Sequence, residues 1–135
     1  MAKILIVDDS VVQRTIIKLY LLKEGHSVIA ETGKGQDVLR LYTESKPDIV
    51  ILDIVMPDAN GIAILADLMN HDKNAKVIMC SCTALQNIVL ESIQLGAKHF
   101  LVKPLTRDRL LYTLNKTLEY ADDKTLEYTK SIQNI

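Results

Sequence analysis

Five polar side chains stand where an apolar run gives way to a loop: the Asp8-Asp9 pair, Asp53, Ser81 and Lys103. Carboxylates drawn together repel, and unless something compensates, at least one of them should carry a raised pKa. A cation relieves that strain. The donors are all oxygen, with no His or Cys at metal spacing beside them, so the implied ion is a hard one such as Mg2+ that keeps several waters. Lys103 adds a fixed positive charge and Ser81 a hydroxyl. An ion, an ammonium and a hydroxyl around one carboxylate are what a bound or covalently attached phosphoryl group needs.

The elements that must position these groups are readable from the apolar runs. Ile49 to Leu52 is an unbroken aliphatic stretch between a Pro47-Asp48 turn and a Pro57-Asp58 turn, a strand buried on both faces that stops at Asp53. Open α/β sheets keep their ligand crevices at the carboxyl ends of strands, which makes position 53 a site position. Lys3 to Val7 is a first strand ending in the acidic pair. Ser10-Val-Val-Gln13 then starts a helix that runs to about Glu24, with Val12, Ile16, Leu19 and Tyr20 along one face and Gly25 as its end. Ser27 to Ala30 is a second strand. Gly33 and Gly35 turn into a second helix carrying Val38, Leu41 and Tyr42, which Lys46-Pro47 breaks. After Asn60-Gly61 comes a third helix with Ile62, Leu65, Ala66 and Met69. Lys76 to Cys80 is a fourth strand, ending at Ser81. Thr83-Ala-Leu-Gln86 repeats the capping pattern and opens a fourth helix with Ile88, Val89, Ser92, Ile93 and Leu95, stopped by Gly96. His99 to Val102 is a fifth strand ending in Lys103-Pro104, and a fifth helix starts near Thr106 with Leu110, Leu111, Leu114 and Leu118 inward. Five strand–helix alternations with short loops imply an α/β domain, a doubly wound parallel sheet with helices on both faces.

Composition narrows the function classes. The 135 residues, 48% hydrophobic, suit one domain over residues 1–120 with a C-terminal extension over 121–135. A net charge of -1 without a basic stripe excludes a nucleic-acid footprint. No run of 18 apolar residues suggests a membrane span, and the first residues lead straight into a strand, so a cytoplasmic protein is expected. Cys80 and Cys82 are too close for a comfortable disulfide and lack partners for zinc. His26, His71 and His99 are scattered and read as surface or turn residues. Gly33-Lys34-Gly35 lacks the following Lys-Ser/Thr of a phosphate loop. Lys116-Thr-Leu-Glu-Tyr120 recurs from Lys124 to Tyr128, a repeat too short for a solenoid, and the alternating three and four spacing of Leu111, Leu114, Leu118, Ala121, Thr125, Tyr128, Ile132 and Ile135 suggests that the fifth helix continues past the sheet. A frayed or self-packed extension on a monomer is expected, with a dimer through that extension as the alternative.

Taken together, Asp8-Asp9, Asp53 within Leu-Asp-Ile-Val-Met-Pro-Asp-Ala-Asn-Gly, Ser81, and Gly96-Ala97-Lys98 through Lys103-Pro104 resemble the receiver domain of two-component response regulators. The resemblance covers residues 3 to about 120, and within the family it is to the single-domain chemotaxis type. It implies a flavodoxin-like sheet of order 2-1-3-4-5 with five helices, and a phosphorylation-activated switch rather than an enzyme. It implies that Asp53 accepts a phosphoryl group from a sensor histidine kinase. Asp9, Asp53 and the Val55 carbonyl would hold Mg2+, with Asp8 acting through water, while Lys103 pairs with the phosphoryl oxygens. Ser81 would move to hydrogen-bond one of them and Phe100 would swing inward behind it. Val55, Cys82 and Thr83 would tune the rates, the Lys103-Pro104 bond would be cis, and a target protein would bind helix four, strand five and helix five. Three residues depart from the pattern or have a plainer role. Cys82 stands where the family has a very small residue and otherwise reads as a small buried hydrophobe; Phe100 lacks the hydroxyl of a tyrosine; Thr83 has helix capping as its plainer role. Other readings are weaker. An aspartyl-phosphate phosphohydrolase needs an acid/base carboxylate where Val55 stands. A receiver-like interaction module that works without phosphate has no use for the complete polar set. The front of a longer DNA-binding regulator would continue into a helix-turn-helix segment after residue 120.

Overall fold

A computed structural model describes residues 1–120. The extension over 121–135, its repeat and any dimer through it lie outside the described residues. Strands β1 (Lys3–Val7), β2 (Ser27–Thr32), β3 (Ile49–Asp53), β4 (Val77–Ser81) and β5 (His99–Val102) alternate with helices α1 (Val11–Lys23), α2 (Val38–Ser45), α3 (Gly61–His71), α4 (Gln86–Leu95) and α5 (Arg107–Leu118). The sheet is wholly parallel in the order β2-β1-β3-β4-β5, as the resemblance implies.

Both faces of the sheet are covered, and the period of two along each strand divides its residues between them. Ile4, Ile6, Ile49, Ile51, Ile78 and Leu101 pack with Ile17 and Leu21 of α1 and Leu110 and Leu114 of α5. Leu5, Val7, Val50, Leu52, Val77 and Met79 pack with Val38 and Tyr42 of α2 and Ile64, Leu65 and Leu68 of α3. Double coverage is why β3 and β4 read as continuous apolar runs, buried at every residue. Two glycines end helices in the left-handed region, Gly25 (φ 81°) after α1 and Gly96 (φ 118°) after α4.

Local chemistry follows the sequence reading in most places and departs from it in several. Ser10 caps α1 and accepts a hydrogen bond from the Gln13 amide, while Thr106 does the same for α5 from Arg109. The inward face of α1, however, is Ile17 and Leu21, and Val12 and Leu19 are exposed. Aliphatics line several sides of that helix, so their spacing alone does not choose its rotation; docking against Ile4 and Ile6 does. β2 runs on to Thr32, and a single 3-10 turn at Gly35–Asp37 precedes α2. Thr83 does not cap α4: the cap position is Leu85, without a side-chain hydrogen bond. A bend at Cys82 and three residues without regular structure separate β4 from α4. Cys82 is exposed rather than buried, since it lies beyond the sheet edge. His26 is buried, its Nδ1 accepting from the Ala2 amide, and His99 is half-buried in β5. α5 buries Thr113 and Thr117 beside its leucines; Thr117 satisfies its hydroxyl by donating to the Thr113 carbonyl.

Candidate functional site

The carboxyl ends of β1, β3, β4 and β5 lie along one edge, so the chain's polar strand ends converge there. One carboxylate oxygen from each of Asp8, Asp9 and Asp53 falls within 4.8 Å of the others. Asp8 and Asp53 are buried and Asp9 is exposed, so the cluster opens on one side. From Asp9 a groove of about 720 Å3 leads past Arg14 and Glu31 to Pro57 and Asp58. Lys103 closes the opposite side. Its ammonium donates to Asp8 Oδ2 at 2.7 Å and lies 3.2 Å from Asp53 Oδ2.

Backbone contacts hold these groups in place. The Lys103 amide donates to the Ser81 carbonyl at 2.8 Å, and the Lys103-Pro104 bond is cis. Asp8 Oδ1 accepts from the Ser10 amide at 2.9 Å, and the Asp8 amide donates to the Thr32 carbonyl at 3.0 Å. The loop after Asp53 folds back on itself: Val55 bridges Asn60, and the Gly61 amide donates to the Ile54 carbonyl at 2.7 Å. Gly61 is obligatory there, because a Cβ would sit 2.4 Å from the Asp53 carbonyl oxygen. The Val55 side chain is exposed, and its amide is 3.4 Å from Asp53 Oδ1. Ser81 is buried and its Oγ accepts from the Thr83 amide at 3.3 Å. Phe100, paired with Met79 across β4 and β5, is half-buried against the core of the α2–α3 face.

The electrostatics leave a deficit of positive charge. Burial raises the Asp53 pKa most; Lys103 pulls it down, and the neighbouring Asp8 charge pushes it further up. Repulsion between carboxylates therefore contributes, but loss of solvent is the larger cause. Burial works against the charge on Lys103 as well, yet its hydrogen bond to Asp8 and the charges of Asp53 and Asp8 outweigh that and raise its pKa. One ammonium cannot neutralise three carboxylates. All-oxygen donors with one exposed member suit a hard divalent cation that retains water, so the residues present fit Mg2+. Cys80, directly behind the site, is inert: burial pushes its thiol up to about 12.

Residues 4–115 match the family described as the response regulator receiver domain. The chain belongs to this family. It is 45% identical over 116 residues to the chemotaxis protein CheY of Bacillus subtilis, covering 86% of this chain and 97% of that protein. It is 47% identical over 116 residues to the chemotaxis protein CheY of Listeria monocytogenes, covering 86% and 98%. Among solved structures it resembles the CheX-CheY-BeF3-Mg2+ complex of Borrelia burgdorferi, with a TM-score of 0.84, 36% identity, and 87% and 90% of the two chains covered. The receiver is thus of the chemotaxis type, a signalling module of two-component systems rather than a conventional enzyme. Receivers bind Mg2+ at an acidic cluster, and Asp8, Asp9 and Asp53 form such a cluster in this one. No helix among the described residues is long and apolar enough to cross a membrane.

Two residues of this receiver's site escaped the sequence reading. Gly61 ends the Leu-Asp-Ile-Val-Met-Pro-Asp-Ala-Asn-Gly motif without a role of its own there, because its close approach to Asp53 depends on the path of the loop. Arg14 donates through Nη1 to the Asp8 carbonyl at 2.6 Å, a contact for which no motif gives a signal.

Proposed function

We propose that this receiver is a phosphorylation-activated signalling switch that accepts a phosphoryl group on Asp53 from a sensor histidine kinase in the cytoplasm. The observation that supports it best is the placement of Lys103 between Asp8 and Asp53, on the closed side of a carboxylate cluster that opens at Asp9. Asp9, Asp53 and the Val55 carbonyl would hold Mg2+, with Asp8 acting through water. When bound, the ion neutralises charge on the transferring phosphoryl group. Asp53 is the nucleophile: a carboxylate oxygen forms a bond to phosphorus as the phosphorus–nitrogen bond of a phosphohistidine breaks, and the departing imidazole takes a proton from solvent. Lys103 follows the charge from the carboxylates to the phosphoryl oxygens. Residues 1–120 act as the unit.

The switch runs through β4 and β5. Ser81 exchanges its bond from the Thr83 amide for one to the phosphoryl group, and Phe100 moves inward into the space behind it. Val55, Cys82 and Thr83, all exposed, set how fast phosphate enters and leaves. The target protein reads α4, β5 and α5, where Leu90, Ile93, Val102 and Tyr112 are exposed. A hydrogen bond to a charged group contributes about 1.5 to 3 kcal/mol. Turning a two-state equilibrium from about 1:99 to 99:1 takes about 5.5 kcal/mol. Ser81 alone is therefore insufficient, and Lys103 together with the bound target supplies the rest. The test is an amide correlation spectrum of the protein treated with an acyl phosphate and Mg2+. The switch predicts shifts from Ser81 through α4 and β5 that Asp53→Asn abolishes, with exchange between two states until target is added. Unchanged spectra would leave only a phosphate-independent interaction module.

A further inference from the structure

The loop that carries Asp8 and Asp9 is held from outside the acidic cluster. Arg14, one turn into α1, has a mostly buried side chain, 15% exposed. Its Nη1 donates to the Asp8 carbonyl at 2.6 Å, and its Nε donates to Glu31 Oε1 at 2.8 Å. The other Glu31 oxygen pairs with Lys18 at 2.6 Å, so the carboxylate is shared by two cations from the same helix. Gly33 closes the arrangement from the side of β2: a Cβ there would come within 3.1 Å of Arg14 Nη1 and 3.3 Å of Asp9 Cα.

The Asp8 carbonyl belongs to the peptide plane that joins Asp8 to Asp9, so whatever fixes that oxygen fixes the direction in which the Asp9 backbone departs. The Asp8 amide is tied as well, to the Thr32 carbonyl. Asp9 is the exposed member of the cluster, the one whose carboxylate packing restrains least. Repulsion from Asp8 and Asp53 pushes it toward solvent. We propose that Arg14 is a positioning residue whose hydrogen bond to the Asp8 carbonyl locks the Asp8–Asp9 peptide plane and so presets the Asp9 carboxylate for a divalent cation. The inference rests on the Mg2+-binding reading above. Groups outside the coordination shell that orient ligands typically change metal affinity by about 10- to 100-fold when removed.

The sign of the effect separates positioning from simple charge. Arg14 is a cation near a cation site, so if it acted only through its charge, Arg14→Gln would tighten metal binding. Positioning requires the opposite. Arg14→Lys keeps the charge but loses the planar fork that spans Glu31 and the Asp8 carbonyl at once, and it should weaken binding too. The experiment is titration of the full chain with Mn2+, reading free ion by electron paramagnetic resonance. Thermal melting in chelator is run alongside, to confirm that each variant is folded at the titration temperature. Expected is a loss of about tenfold or more in Mn2+ affinity for folded Arg14→Gln and Arg14→Lys. Gly33→Ala, which crowds the same contact without touching a charge, should move in the same direction and keeps the question open to refutation if Arg14→Gln fails to fold. Folded Arg14 variants that bind Mn2+ as tightly as wild type, or more tightly, overturn the inference alone. A wild type that binds no Mn2+ overturns the cation-binding reading and the inference with it.

Discussion

At the scale of single residues, Asp53 is a carboxylate held where the fold does not favour its charge. Its folded pKa is raised, chiefly by burial, so the unfolded chain gives up this proton at lower pH than the folded one. The stability tied to that group is fully present below the unfolded value and is lost as pH rises through the folded one. Asp53→Asn removes the charge while keeping the shape. It should therefore raise the melting temperature at neutral pH, by something on the order of a few degrees, with the gain shrinking in acid; thermal scans across pH read it directly. A second expectation belongs to Lys103. Lys103→Met leaves Asp8 and Asp53 buried without their ammonium, and at neutral pH it should destabilise the metal-free protein by about 3 kcal/mol in urea titrations, less where added Mg2+ takes over the neutralisation. These two residues were legible in the sequence because each ends an apolar run, and in a parallel sheet such ends meet. Arg14 and Gly61 were not, since a guanidinium reaching a carbonyl, or a Cβ striking a neighbouring backbone, depends on the path of a loop.

At the scale of elements, β1, β3 and β4 were plain because burial on both faces leaves almost no polar residue inside them, whereas the half-buried edge strand β2 carries Glu31 and Thr32 and runs past the apolar stretch. Helix orientation was harder. α1 carries aliphatics on several sides, and only its docking shows that Ile17 and Leu21 face the sheet while Leu19 faces water. Ile17→Ala should therefore cost about 2 to 5 kcal/mol of unfolding free energy and Leu19→Ala no more than about 0.5, measured by urea titration. Equal losses would mean that the helix is rotated. The start of α4 departs from the capping pattern at Thr83: Leu85 holds the cap position and makes no side-chain hydrogen bond to the first turn. Its only buried residue is Ser92, in contrast to four in α3 and four in α5. Such a helix opens easily, and hydrogen exchange should find its amides the least protected among the five helices. An element that is loosely held is also one that a change at Ser81 can shift.

At the scale of the whole molecule, the histidines set an acid limit unrelated to the site. His26 and His99 both have lowered pKa values, burial being the largest cause for His26 and the sole one for His99, so the unfolded state takes up protons first as pH falls. Stability should be full above the ordinary histidine value of about 6.5 and should decline below it. Replacing both by Gln should flatten that decline in thermal scans between about pH 5 and pH 7. The carboxylates and Lys103 are the opposite case, with charge gathered at one edge of the sheet for the proposed use rather than avoided. That use is most directly tested by intact mass spectrometry of the protein after incubation with an acyl phosphate, with and without Mg2+, in the wild type and in Asp53→Asn. A phosphoacceptor Asp53 requires the gain of a single phosphoryl group in the wild type with Mg2+, and none in the variant. A wild type that stays unmodified in Mg2+, or a variant that is modified as readily, would contradict it.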